Sequence, residues 1–81
     1  MRVRVRLFAS LRETAGCSEQ ELGLPAGATA EAAWLRLCEE HPALAVKRPS
    51  LLASVNRRYA PFETTLRDGD ELVFIPPVSG G

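Results

Sequence analysis

Few residues in this 81-residue chain could carry chemistry. There is one histidine, His41, and there are two cysteines, Cys17 and Cys38. His41 has no second histidine to share a metal and no nucleophile spaced for a triad. At the end of a helical stretch it is a favourable partner for the helix dipole. Cys17 has no basic or histidine neighbour in sequence that would hold a thiolate, so it reads as an inert, exposed loop thiol. Cys38 sits at helical spacing among apolar residues and reads as a small core residue. No CxxC pair exists for zinc, and iron–sulfur ligation normally draws on four cysteines, which excludes a plant-type ferredoxin. Arg67-Asp68-Gly69-Asp70 lacks the spaced ligands of a calcium loop and reads as a turn. No metal site is expected.

What remains is the ending, Pro76-Pro77-Val78-Ser79-Gly80-Gly81. Two prolines forbid continuation of the preceding strand, because neither can donate to a ladder. The glycines after them have no side chain to dock on a core and carry the most backbone freedom of any residue. The result is a carboxylate on an unhindered α-carbon, on a thread whose reach is about 20 Å at roughly 3.3–3.6 Å per residue. A group placed there can be modified and delivered into a cleft on another protein. Residues 1–75 are expected to form the folded domain and residues 76–81 a flexible tail.

The elements that must position this tail follow from periodicity. Arg2-Val3-Arg4-Val5-Arg6-Leu7 alternates strictly, a strand with Val3, Val5 and Leu7 inward and the arginines outward. Continued parity places Phe8 on the arginine side. Either the strand ends there and the ring tucks under a loop, or the ring belongs to a contact patch. Ser10 to Ser18 is polar, ends in Gly16-Cys17-Ser18, and reads as a loop with at most one helical turn. Glu19 to Leu24 is a second strand, with Leu22 and Leu24 on one face. It ends at Pro25-Ala26-Gly27 and forms a hairpin with the first.

Thr29 is the N-cap of a helix, Glu31 complements the dipole in its first turn, and Ala30, Ala33, Trp34, Leu37 and Cys38 form the buried stripe. Pro42 stops the helix at His41. Residues 43–49 form a connector. Leu51 to Val55 is a strand, Asn56-Arg57-Arg58 a turn, and Tyr59-Ala60 a short strand. Pro61 to Leu66 contains a tight helical turn. In the last strand, Glu71 to Ile75, Leu72 and Phe74 share one face, while Val73 and Ile75 share the other with Glu71. Val73 and Ile75 therefore face outward at the root of the tail. Beside Phe8 they would make one exposed apolar patch.

Composition narrows the partners. Ten basic and ten acidic residues cancel, so there is no basic excess to bind nucleic acid. No apolar run approaches the roughly 20 residues of a membrane span, and Arg2, Arg4 and Arg6 interrupt any apolar leader. A cytoplasmic protein is expected. The element order predicts an α+β fold: a mixed sheet of four to five strands with one main helix across it. The compact solution is the ubiquitin-like β-grasp, in which the first and last strands are central parallel neighbours. An antiparallel meander is the alternative.

Leu7-Phe8-Ala9 with Leu11-Arg12-Glu13 and Gly16, then Ala53-Ser54-Val55-Asn56, and above all Leu66-Arg67-Asp68-Gly69-Asp70-Glu71 running into PPVSGG, resemble the MoaD-like family of small sulfur-carrier subunits of molybdopterin synthase. The resemblance covers essentially the whole chain, and the PPVSGG ending after a DGDE turn is specific. It implies that an ATP-dependent, E1-like adenylating enzyme activates the carboxylate of Gly81. A persulfide-bearing donor, such as a cysteine desulfurase or rhodanese-type protein, would convert it to a thiocarboxylate. The tail would then enter the large synthase subunit and give sulfur to cyclic pyranopterin monophosphate, two rounds building the dithiolene. The assembly implied is a heterotetramer of two large and two small subunits.

Carried onto this sequence, Gly81 bears the reactive group and Gly80 lets the thread pass a narrow channel. Phe8, Tyr59 and Ile75 match the family's hydrophobic contacts with the large subunit, although some members place phenylalanine and leucine where Ile75 and Tyr59 stand. Val73, Pro76, Pro77 and Val78 extend that partner-binding set. ATP is used by the adenylating partner, and no cofactor is expected on this chain. The chain would be a carrier subunit, not an enzyme on its own. Rival readings are a sulfur carrier for thiazole synthesis or tRNA thiolation, a ubiquitin-like modifier joined to lysines through Gly81, and a β-grasp binding module with an inert tail.

Overall fold

The computed structural model describes residues 1–76. Five strands, β1 (Arg2–Leu7), β2 (Glu19–Gly23), β3 (Leu52–Val55), β4 (Arg58–Ala60) and β5 (Glu71–Ile75), form one sheet in the order β2-β1-β5-β3-β4. β1 runs parallel to β5 at the centre, with Leu7 beside Phe74, and the other pairs are antiparallel. This is the β-grasp arrangement, not the meander.

One face of the sheet is closed by α2 (Ala30–Glu40). The alternation of β1 sends Val3, Val5 and Leu7 into the core, and β5 contributes Leu72 and Phe74. From α2 come Ala30, Ala33, Trp34 and Leu37. Trp34 meets Phe74 edge-on at 5.0 Å between ring centroids, and Phe62 stacks on Phe74 at 5.8 Å. Arg48 lies 3.6 Å above the Phe62 ring while its guanidinium holds Glu31 at 2.7 Å. The strand that leads into the tail is thus gripped through its inner aromatic, one residue before it ends.

α2 begins where its sequence says it should. Thr29 Oγ1 accepts the Ala32 N–H at 3.2 Å. The helix's orphan N–H groups on Ala30 and Glu31 donate to the carbonyls of Thr64 and Phe62 at 3.0 and 2.9 Å, which welds the helix start to the 61–66 loop. His41 caps the C-terminus through its N–H to Leu37, and Pro42 opens a 3₁₀ helix, Pro42–Lys47, that tucks Leu44 into the core. Residues 43–49 are therefore mostly helical where a plain connector was expected. The 61–66 segment holds one turn, closed by Thr64 N–H to the Pro61 carbonyl at 3.0 Å, and then a bridge between Thr65 and Thr29.

The larger departure is the segment after β1. Ala9–Ala15 is a two-turn helix, α1, where a loop with one helical turn was expected. It buries Leu11 completely and ends at Gly16, whose φ of 79° lets its N–H return to the Arg12 carbonyl at 2.8 Å. The glycine that marks a loop in the sequence is a helix stop of the left-handed kind. At the other end of the molecule, the Arg67–Asp70 turn forms as expected. Gly69 has φ 86°, and Asp70 accepts the Arg67 N–H at 2.8 Å. Asp70 also binds Asn56 at 2.9 Å, tying this turn to the β3–β4 hairpin.

Candidate functional site

Among the described residues the outer face of the sheet carries no helix, and the strand pairing dictates what lies across it. Because Ala53 and Val55 pair with Phe74 and Leu72 on the inner side, Leu52 and Ser54 must point outward, opposite Ile75 and Val73. Tyr59 stands opposite Ser54 on β4. The Leu7–Phe74 pairing puts Phe8 one residue on from Leu7, level with Ile75. With strands about 4.8 Å apart, this apolar strip spans roughly 14 Å from β1 to β4.

Within the strip, Tyr59 is 75% exposed, Leu52 49% and Phe8 44%. Val73, Ile75 and Pro76 are half-buried. The expectation for Phe8 thus resolves both ways: β1 does end at Leu7, but the ring stays in solvent. Its neighbour is Arg6, whose guanidinium carbon lies 5.7 Å from the ring centroid. Val73 and Ile75 face outward as their parity demands, though neighbours shield most of each, so they are less exposed than the patch reading expected. Tyr59 is separated from Val73 by the β3 strand, with Ser54 between them. Sequence reading missed Leu52. The signal was available in strand parity, but Leu51-Leu52 are both apolar and hide the alternation. Pro77, Val78, Gly80 and Gly81, also expected in this site, lie outside the described residues, as does most of the 76–81 tail.

The other candidate chemistry is tied up in packing. Cys17 is half-buried against the core instead of exposed, its thiol 3.8 Å from Gln20 Oε1. The same amide oxygen lies 3.1 Å from His41 Nε2, and Gln20 Nε2 donates to Glu40, so His41 serves to join β2 to the end of α2. Burial, helped by the Glu31 carboxylate, pushes the Cys38 thiol up from its ordinary 9.0, which keeps it protonated and a poor nucleophile at neutral pH. Among the described residues no group of three or more His, Cys, Asp or Glu could hold a metal, and no helix is long and apolar enough to cross a membrane. A shallow groove of about 250 Å³, lined by Arg2, Arg4, Glu21, Asp68 and Glu71, lies at the opposite end of β5 from the tail. Its walls carry both signs of charge.

The arrangement is a plate whose outer apolar strip, covered by none of the described residues, leads to the point where the tail departs. A family model described as the ThiS family matches residues 5–81. The chain belongs to the ThiS family. Among members' relatives, the molybdopterin synthase sulfur carrier subunit of Chlamydomonas reinhardtii is 37% identical to this ThiS-family chain over 83 residues, spanning the whole of both chains. The Escherichia coli K12 protein of the same name is 37% identical over 81 residues, covering 98% of this chain and 99% of its own. The crystal structure of SAMP1 from Haloferax volcanii, a small archaeal modifier protein, superimposes with a TM-score of 0.91 at 30% identity over the full length of both chains.

Proposed function

We propose that this chain is the small, sulfur-carrying subunit of a molybdopterin synthase. The observation that carries the reading is the 37% identity with sulfur carrier subunits across the entire chain, tail included. The carrier's working part is the Gly81 carboxyl group. A carboxylate is a poor electrophile until adenylation gives it a leaving group, so an E1-like partner would spend ATP to form the acyl-adenylate. The terminal sulfur of a persulfide on a cysteine desulfurase or rhodanese-type donor would displace AMP to give an acyl disulfide. A second thiol would cleave that, forming a disulfide with the donor cysteine and releasing the thiocarboxylate. That group is a far better sulfur nucleophile than the carboxylate is an oxygen one. Carrying it on a thin arm is the logic of group carriers in general.

Gly80 and Gly81 present no side chain to a narrow passage. Phe8, Leu52, Tyr59, Val73 and Ile75, with Pro76, Pro77 and Val78 leading on from them, would seat the plate on the large catalytic subunit while the tail enters it. Two rounds of transfer to cyclic pyranopterin monophosphate build the dithiolene. The catalytic groups belong to the partners in this scheme, the assembly is a heterotetramer, and the work is done in the cytoplasm. The relatives' name supports the partner reading, since each is called a subunit of a synthase.

The test is reconstitution. The thiocarboxylated chain mixed with a molybdopterin synthase large subunit and cyclic pyranopterin monophosphate should yield molybdopterin. A chain lacking Gly81 should yield none while folding normally. A second reading, attachment to protein lysines, is favoured by the likeness to the archaeal modifier protein. Gly-Gly remnants on lysines of other proteins in extracts of the source cells, lost when Gly81 is deleted, would establish it.

A further inference from the structure

We propose that Ala9 is a positioning residue that presets the Phe8 ring as an anchor for the large subunit. Ala9 has φ 51°, a left-handed conformation in which an L-residue's Cβ crowds the following carbonyl. Outside glycine, three other described residues share it, and two of them sit where a hairpin accounts for it. Asn56 (φ 51°) and Arg57 (φ 71°) are the two central residues of the β3–β4 hairpin, where right-handed strand twist demands positive φ at both. Ser50 (φ 64°) is in the exposed link before β3. Ala9 is in no hairpin. Its methyl is exposed, so packing does not explain why a side chain stands where glycine would relieve the strain. Strain that packing does not require concentrates at working sites.

What the turn at Ala9 does is local and visible. It breaks the chain out of β1 within one residue, leaving Phe8 extended (φ −127°, ψ 161°) as the residue before α1. The Phe8 carbonyl then accepts the N–H groups of Leu11 and Arg12 at 3.1 and 3.4 Å. Leu7 and Leu11, on either side, are both fully buried. The Phe8 backbone is therefore clamped between two core residues while its ring stands in solvent against Arg6. An anchor held in its bound geometry before docking spares the complex the entropy of ordering it. Glycine at position 9 would keep the fold and release the clamp, because it visits many more backbone conformations.

This inference rests on the reading of the outer strip as the large-subunit interface. Its test measures affinity for that subunit, thermal stability, and backbone order of the free protein by NMR relaxation, for the parent, Ala9→Gly, Phe8→Ala and the double variant. Ala9→Gly should melt at or above the parent temperature, lower the amide order parameters of residues 8–10, and bind about three- to tenfold more weakly. In the Phe8→Ala background it should cost no further affinity. Parent-like binding and order in Ala9→Gly, or a loss that persists without the Phe8 ring, would overturn the proposal while leaving the interface intact. A parent chain that fails to bind the large subunit at all would overturn the interface reading itself, and with it the role given to Ala9.

Discussion

One face of one sheet holds two unlike halves. Across β2, β1 and the start of β5, three arginines and three glutamates pair: Arg2 with Glu21 at 3.3 Å and Arg4 with Glu19 at 3.0 Å between β1 and β2, and Arg6 with Glu71 at 3.9 Å between β1 and β5. Each of the first two pairs is diagonal, since Arg4 stands opposite Glu21 and Arg2 opposite Gly23. These groups are solvated, and exposed ion pairs contribute only about 0–1 kcal/mol each. Toward the ends of β1 and β5, and across β3 and β4, the same face turns apolar through Phe8, Ile75, Val73, Leu52 and Tyr59. The fold requires neither half, because the core lies entirely on the other side. A solvated half explains itself as surface. An apolar half that nothing described covers, placed where the tail begins, is what the proposed docking on a large subunit would use.

Four substitutions press on that contrast. Turning the apolar half into a copy of the charged one should have the largest effect. Ile75→Glu would place a carboxylate inside the docked interface and should weaken large-subunit binding by about 3–4 kcal/mol in a calorimetric titration. Phe8→Ala should cost about 1–3 kcal/mol of affinity, as truncated hot spots do, with folding stability within about 0.5 kcal/mol of the parent by chemical denaturation. Leu52→Ala tests the residue that sequence reading passed over, and should lose about 1 kcal/mol of affinity. Smallest is Arg4→Gln in the charged half. It should change stability by at most about 0.5 kcal/mol, shrink further in high salt, and leave affinity untouched. Equal binding losses from Arg4→Gln and Ile75→Glu would erase the distinction between the halves.

Much of this was legible in the chain itself, and the reasons are physical. The Arg-Val alternation of β1, the stripe from Ala30 to Leu37, the Thr29 cap, the Asp68-Gly69-Asp70 turn and the parity of β5 are strong periodic or stereochemical signals, and each element stands as read. α1 was not legible, because a two-turn helix that buries only Leu11 offers no period to detect. Leu52 was hidden by its apolar neighbour. Cys17 lies half-buried against the core just past the Gly16 stop of α1, a placement that the missed helix hid. The left-handed φ of Ala9 has no sequence signal at all, since alanine is the residue least expected to announce a break in regular structure. Of the candidate site, the apolar residues at the tail's root were visible through parity alone, whereas the extent of the strip needed the β3 register.

The central claim is that the carboxyl group of Gly81 is where sulfur is loaded and from which it leaves. Intact-protein mass spectrometry tests it most directly, after incubation with an E1-like adenylating enzyme, ATP and a persulfide donor. The account predicts exchange of a single oxygen for sulfur, mapped by fragmentation to the final residue and dependent on ATP. An unchanged mass under conditions that load a known sulfur carrier, or sulfur found on Cys17 or Cys38 instead, would contradict it.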